Sequence, residues 1–128
     1  MNATATAQQK KTSTILVVED DCDLRELLAE ILARAGYSVV QAANGKEALE
    51  CLCGVERPRL ILLDLSMPVM NGWQFHEALK ANERLADIPV LVVSARRDGE
   101  KALPVASERF LRKPFELASL LDMVGKFT

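Results

Sequence analysis

Short aliphatic blocks punctuate this chain, and between them apolar residues recur at helical spacing. Ile15–Val18, Leu60–Leu63 and Pro89–Ser94 run with almost no polar interruption. Blocks of that kind form strands buried on both faces. Ser38–Ala42, rich in valine, predicts another strand, and Arg109–Arg112 a weak fifth. Leu24, Leu27, Leu28, Ile31, Leu32 and Ala35 fall at helical spacing, and Gly36 stops that helix. Lys46–Cys53 predicts a short helix with Ala48, Leu49 and Leu52 inward. Gly72–Ala81 predicts a third, with Trp73, Ala78 and Leu79 as candidate core residues. Trp73 and Phe75 cannot both face the core on one helix, so one of them is expected to be partly exposed. Leu117, Leu120, Leu121, Val124 and Phe127 line one side of a closing helix. Strand alternating with helix predicts a parallel sheet covered by helices on both faces. Between Ser94 and Phe110 the pattern is weak. Gly99 and Pro104 work against a long helix, so a short or irregular segment is expected there.

Composition narrows the class. With 128 residues, 49% of them apolar and 27% charged, the chain reads as one soluble globular domain. A net charge of −2 leaves no basic stripe, so no nucleic-acid partner is expected. No run approaches membrane-spanning length. Residues 1–13 are Ala-, Thr-, Gln- and Lys-rich, without the apolar segment of a signal peptide. They are expected to form a flexible tail, residues 14–128 the domain, and the protein a cytoplasmic one. Cys22, Cys51 and Cys53 have no metal-ligand spacing and imply free thiols in a reducing compartment.

The chemistry sits at the ends of the aliphatic blocks. Glu19 and Asp20 follow Ile15–Val18, and Asp64 follows Leu60–Leu63. If these two strands are neighbours in a parallel sheet, their acids meet in the crevice where such sheets bind ligands. Carboxylates gathered there repel one another unless a cation joins them, and a hard dication such as Mg²⁺ suits an all-oxygen set. The loop after Asp64 turns at Pro68 and enters a helix at Gly72; it can direct a backbone carbonyl, that of Ser66, toward such a metal. Ser94 ends one strand with a hydroxyl, and Lys113 follows the last with an ammonium. Carboxylates, hydroxyl and ammonium together are what phosphoryl transfer needs. Asp21 and Asp23 read as acids at a helix N-terminus. His76, the one histidine, is expected to be an exposed bystander on the third helix.

These residues closely resemble the receiver domain of two-component response regulators, from Thr14 to about Phe127. Val17-Val18-Glu19-Asp20-Asp21 resembles the family's acidic motif. Asp64 through Gly72, with Pro68 four and Gly72 eight residues after the Asp, resembles its phosphoacceptor loop. Pro89 through Ala95 is similar to the strand bearing its hydroxyl, and Phe110-Leu111-Arg112-Lys113-Pro114-Phe115 to its lysine motif. The resemblance implies a flavodoxin-like (βα)5 fold, doubly wound, with strand order 2-1-3-4-5. It implies Asp64 as phosphoacceptor, fed by a histidine kinase or phosphotransfer protein. Asp20, Asp64 and the Ser66 carbonyl would be direct Mg²⁺ ligands, with Glu19 acting through metal-bound water. Ser94 would bond a phosphoryl oxygen, and Lys113 would pair with Asp64 or its phosphoryl group. Phe110 falls at the rotating aromatic switch, and Lys113-Pro114 is expected to be cis. The implied role is a switch that controls a downstream protein partner, as a monomer or weak homodimer. It is not an enzyme beyond its own phosphorylation and dephosphorylation. The stretch before Phe110 is a few residues shorter than the common pattern, and no effector domain follows the closing helix, so a stand-alone receiver is expected.

Two other classes compete. A receiver-like docking module would act without phosphorylation, but such modules usually lose an acid or the lysine, and both are kept here. A Mg²⁺-dependent phosphatase of the haloacid dehalogenase type carries a second Asp two residues after its nucleophile, where this chain has Ser66. A serine hydrolase would need a G-x-S-x-G elbow, which is missing.

Overall fold

The computed structural model describes residues 13–54, 57–65, 70–94 and 109–128. Five parallel strands form one sheet: β1 (Thr14–Val18), β2 (Ser38–Ala42), β3 (Leu60–Asp64), β4 (Val90–Ser94) and β5 (Phe110–Arg112). Their order is β2-β1-β3-β4-β5, the expected one. Four helices accompany them among the described residues: α1 (Cys22–Arg34), α2 (Gly45–Gly54), α3 (Gly72–Ala81) and α4 (Leu117–Phe127). The expected short segment between Ser94 and Phe110, and nearly all of the expected tail, lie outside the described residues.

Pleating divides the aliphatic blocks between two cores, because successive side chains point to opposite faces. Leu16, Val18, Ile61, Leu63, Val90 and Val92 pack with Leu52 of α2 and with Phe75 and Leu79 of α3. Ile15, Val17, Leu60, Leu62, Leu91 and Val93 pack with Leu28 and Leu32 of α1 and with Leu120 and Val124 of α4. The sheet is therefore doubly wound. β3 and β4 are buried at every position.

Local signals set the helix ends. The Asp21 side chain accepts the Leu24 N–H at 3.2 Å and starts α1, the role expected of an acid there. Gly36, at φ 106°, ends it: its N–H reaches the Ala33 carbonyl, and the Tyr37 N–H reaches that of Leu32. That paired closure needs the left-handed conformation glycine adopts freely. Asn71 and Gln74 form a reciprocal capping box at the start of α3. Gly72 donates to the Leu65 carbonyl at 2.9 Å. A Cβ there would lie 2.6 Å from Leu65 Cα and 2.7 Å from the Asp64 carbonyl oxygen. Only glycine lets α3 press this closely onto the end of the acid-bearing strand.

Two expectations about α3 are resolved. Phe75 is the fully buried aromatic, while Trp73 packs half-buried at the edge of the same core. His76 is not exposed; it is only 4% accessible. Gly72, Phe75, His76 and Leu79 are spaced 3, 1 and 3 apart, so they share the inward face. The His76 Nε2 is buried without a hydrogen-bond partner. Burial, with the Lys80 charge adding to it, pushes the imidazole pKa below its ordinary value.

The unfolded chain therefore takes up a proton at His76 before the folded one does. The stability owed to neutral His76 is present above pH 6.5 and is lost as the pH falls below that unfolded value. Denaturant unfolding at about pH 7.5 and about pH 5.5, either side of the free imidazole pKa, should show wild-type protein losing more stability in acid than His76→Leu. Equal losses would refute this account.

Candidate functional site

The parallel registers carry the chemistry-bearing residues to one edge of the sheet. Val18 pairs with Leu63, so Glu19 and Asp64 emerge side by side from adjacent strands. Asp64 lies opposite Val93, Ser94 opposite Arg112, and Lys113 is the next residue, donating its N–H to the Ser94 carbonyl at 2.9 Å. Lys113-Pro114 is cis, as expected.

Three carboxylates meet there. One oxygen from each of Glu19, Asp20 and Asp64 lies within 4.8 Å of the others. Glu19 and Asp64 are buried, at 3% and 6% accessible, while Asp20 is exposed. Ser94 is buried at the end of β4. Lys113 brings the opposing charge: its ammonium donates to Glu19 Oε1 at 2.8 Å and stands 3.7 Å from Asp64 Oδ1. The close partner of Lys113 is thus Glu19, with Asp64 at ion-pair distance only. Burial alone would lower the Lys113 pKa. The hydrogen bond to Glu19 and the charges of Asp64, Glu19 and Asp20 outweigh burial and raise it above its ordinary value.

Glu19 is tethered on every side. Its N–H donates to the Ala42 carbonyl at 3.0 Å, and its own carbonyl accepts from Arg25 Nη1 at 2.9 Å. Its second carboxylate oxygen accepts the Asp21 N–H at 3.2 Å. Nothing in the apolar pattern points to the Arg25 contact, which runs from a side chain back to a carbonyl six residues earlier. The donor set suits a hard dication, which prefers oxygen ligands. Both Glu19 oxygens are engaged, by Lys113 and by the Asp21 N–H, whereas the exposed Asp20 makes no hydrogen bond through its carboxylate among the described residues. Ser66, the expected carbonyl ligand, lies outside the described residues. Phe110 opens β5 and packs half-buried against the core shared by α2 and α3. Among the described residues no helix is long and apolar enough to cross a membrane. Cys22, Cys51 and Cys53 are free thiols.

Removing the ammonium would leave Glu19 buried beside two more acids. Complete loss of one partner of a fully buried pair costs about 3–5 kcal/mol, and partial exposure of Lys113 (22%) reduces that to about 1–3 kcal/mol. Lys113→Met should melt at a lower temperature than wild type in metal-free buffer near neutral pH. The Lys113 contribution is present below the free-lysine pKa of 10.5 and lost as the pH rises past its raised folded value. The gap between the two proteins should therefore close in strong alkali. An unchanged or higher melting temperature at neutral pH would contradict the pairing.

Comparison with known proteins agrees with this arrangement. Residues 15–125 match the family model of the response regulator receiver domain. The transcriptional regulatory protein CrdR of Helicobacter pylori is 38% identical over 122 residues, covering 93% of this chain and 55% of that protein. The phosphate regulon transcriptional regulatory protein PhoB of Pseudomonas aeruginosa is 33% identical over 121 residues, covering 90% and 52%. This chain thus spans about half the length of these curated relatives. Among solved structures, the chemotaxis response regulator CheY4 of Vibrio cholerae superposes with a TM-score of 0.78 at 28% identity, covering 91% of this chain and 99% of that one. The receiver domain of the sensor histidine kinase PA1611 from Pseudomonas aeruginosa, solved with a magnesium ion in its active-site cleft, gives 0.81 at 26% identity, covering 91% and 97%. Fold, strand order and sequence agree over nearly the whole length, and the chain belongs to the response regulator receiver domain family.

Proposed function

We propose that this domain accepts a phosphoryl group on Asp64 from a phosphohistidine of a kinase or phosphotransfer protein. The resulting change of conformation controls the binding of a downstream protein. The observation that carries the reading is the convergence of Glu19, Asp20 and Asp64 around one point with Lys113 beside them. The Asp64 carboxylate lies at a strand end, where it can approach phosphorus in line. Its oxygen forms the new O–P bond as the histidine N–P bond breaks, and the freed imidazole keeps the electron pair. Lys113 and the Ser94 hydroxyl bind the phosphoryl oxygens. Asp20, Asp64 and the Ser66 carbonyl would hold Mg²⁺, which supplies positive charge opposite those oxygens. Glu19, tied to Lys113 and to the Asp21 N–H, would reach the ion through its bound water.

Ser94 and Phe110 form the output switch in this reading. Drawing the Ser94 hydroxyl toward the phosphoryl group opens space behind it, into which Phe110 turns. Phe110 has no hydroxyl to hold it outside, and it already packs half-buried against the α2–α3 core, which supports a low cost for the inward state.

Acetyl phosphate with Mg²⁺ should add one phosphoryl group to the wild-type protein, as read by intact mass. Asp64→Asn should show none, because the amide is no nucleophile; labelling of that variant at the wild-type rate would sink the assignment. Asp20→Asn separates the metal from the acceptor. Relief of charge crowding should raise its melting temperature in metal-free buffer by a few degrees, about 2–4 °C, while Mg²⁺ binding weakens. A variant that melts lower and binds Mg²⁺ normally would remove Asp20 from the metal site.

A further inference from the structure

We propose that Arg25 is a positioning residue for the acidic pair, holding the Glu19–Asp20 peptide so that Asp20 is presented to the cation. The inference rests on the metal reading above. Asp23, Glu26, Glu30 and Arg34, the other charged residues of α1, are exposed, and Arg34 pairs with Glu30. Arg25 is half-buried and makes no ion pair among the described residues. Helical side chains lean toward the N-terminus, and Arg25 runs back across the first turn to place Nη1 at 2.9 Å from the Glu19 carbonyl oxygen.

The clamp matters because of what Asp20 lacks. Its carboxylate makes no hydrogen bond among the described residues, whereas Glu19 is held at its N–H, its carbonyl and both carboxylate oxygens. The peptide between the two residues is planar. Fixing the Glu19 carbonyl fixes that plane and with it the direction in which the Asp20 Cα leaves the strand. The next peptide is held as well, by the Asp21 N–H on Glu19 Oε2, so the backbone torsions of Asp20 are bracketed by two fixed planes. A guanidinium at this place works against cation binding through its charge and for it through geometry, so charge and position predict opposite signs for its removal.

Calorimetric titration of Mg²⁺ into wild type, Arg25→Met and Arg25→Lys distinguishes them, with a metal-free melting curve for each. Outer-shell partners of a metal site typically change affinity by 10–100-fold. Arg25→Met, which keeps most of the stem, should bind Mg²⁺ about tenfold more weakly. Arg25→Lys, with the charge and a smaller set of donors, should fall between that variant and wild type. At saturating Mg²⁺, labelling of Asp64 by acetyl phosphate should reach the wild-type extent. Unchanged or tighter Mg²⁺ binding by Arg25→Met overturns the inference. If that variant does not fold, Arg25→Lys decides: weaker binding at an unchanged melting temperature supports the clamp, and wild-type affinity overturns it. Failure of wild-type protein to bind Mg²⁺ overturns the metal reading, and this inference with it.

Discussion

β3 has no solvent face, and the placement of the site follows from that. Each of its five residues is buried between two layers of helices. A strand so enclosed must be aliphatic through its length, because an unpartnered polar group inside would go unsatisfied. Its polar residue can sit only at the end, where the sheet opens. Parallel pairing on both sides then fixes which neighbours meet Asp64 there: Glu19 just after β1, Ser94 at the end of β4, and Lys113 just after β5. α3 is pressed against the same end by a glycine that admits no side chain. Core packing and site geometry are two results of one constraint.

Much of this was legible in the residues alone. The aliphatic blocks marked β1, β3 and β4 nearly to the residue. Glycine at position 36 marked the end of α1, and acids and lysine at strand ends marked the site. What escaped has a physical reason. The burial of His76 is not legible in the sequence because a helix with Trp73, Phe75 and His76 in close succession does not declare its inward side; the close seat of Gly72 on Leu65 does. Lys113 pairs with Asp64 as the resemblance implies, at 3.7 Å, but its closer hydrogen bond to Glu19 at 2.8 Å is a choice between two carboxylates that spacing along the chain cannot rank. The Arg25 contact joins a side chain to a carbonyl and leaves no periodic trace.

The charge balance of the pocket is narrow. Three acids face one ammonium, and the ammonium is held by hydrogen bond to the acid that is otherwise most fully tethered. Asp64 stands at ion-pair distance from the same ammonium, 3.7 Å away, without the close contact that Glu19 makes. Glu19, held at both carboxylate oxygens, and Asp20, with no hydrogen bond to its carboxylate among the described residues, divide the acidic motif into a tied and an untied acid.

The Lys113–Glu19 pair also spans 94 positions of sequence, joining the tip of the first strand to the residue after the last. The entropy of closing a loop must be met before a contact of such separation rewards it. β1 and β3 can pair and gather their acids without β5; the counter-charge cannot arrive until β5 has docked on β4. The pocket is therefore electrostatically incomplete in any chain whose last strand has not docked.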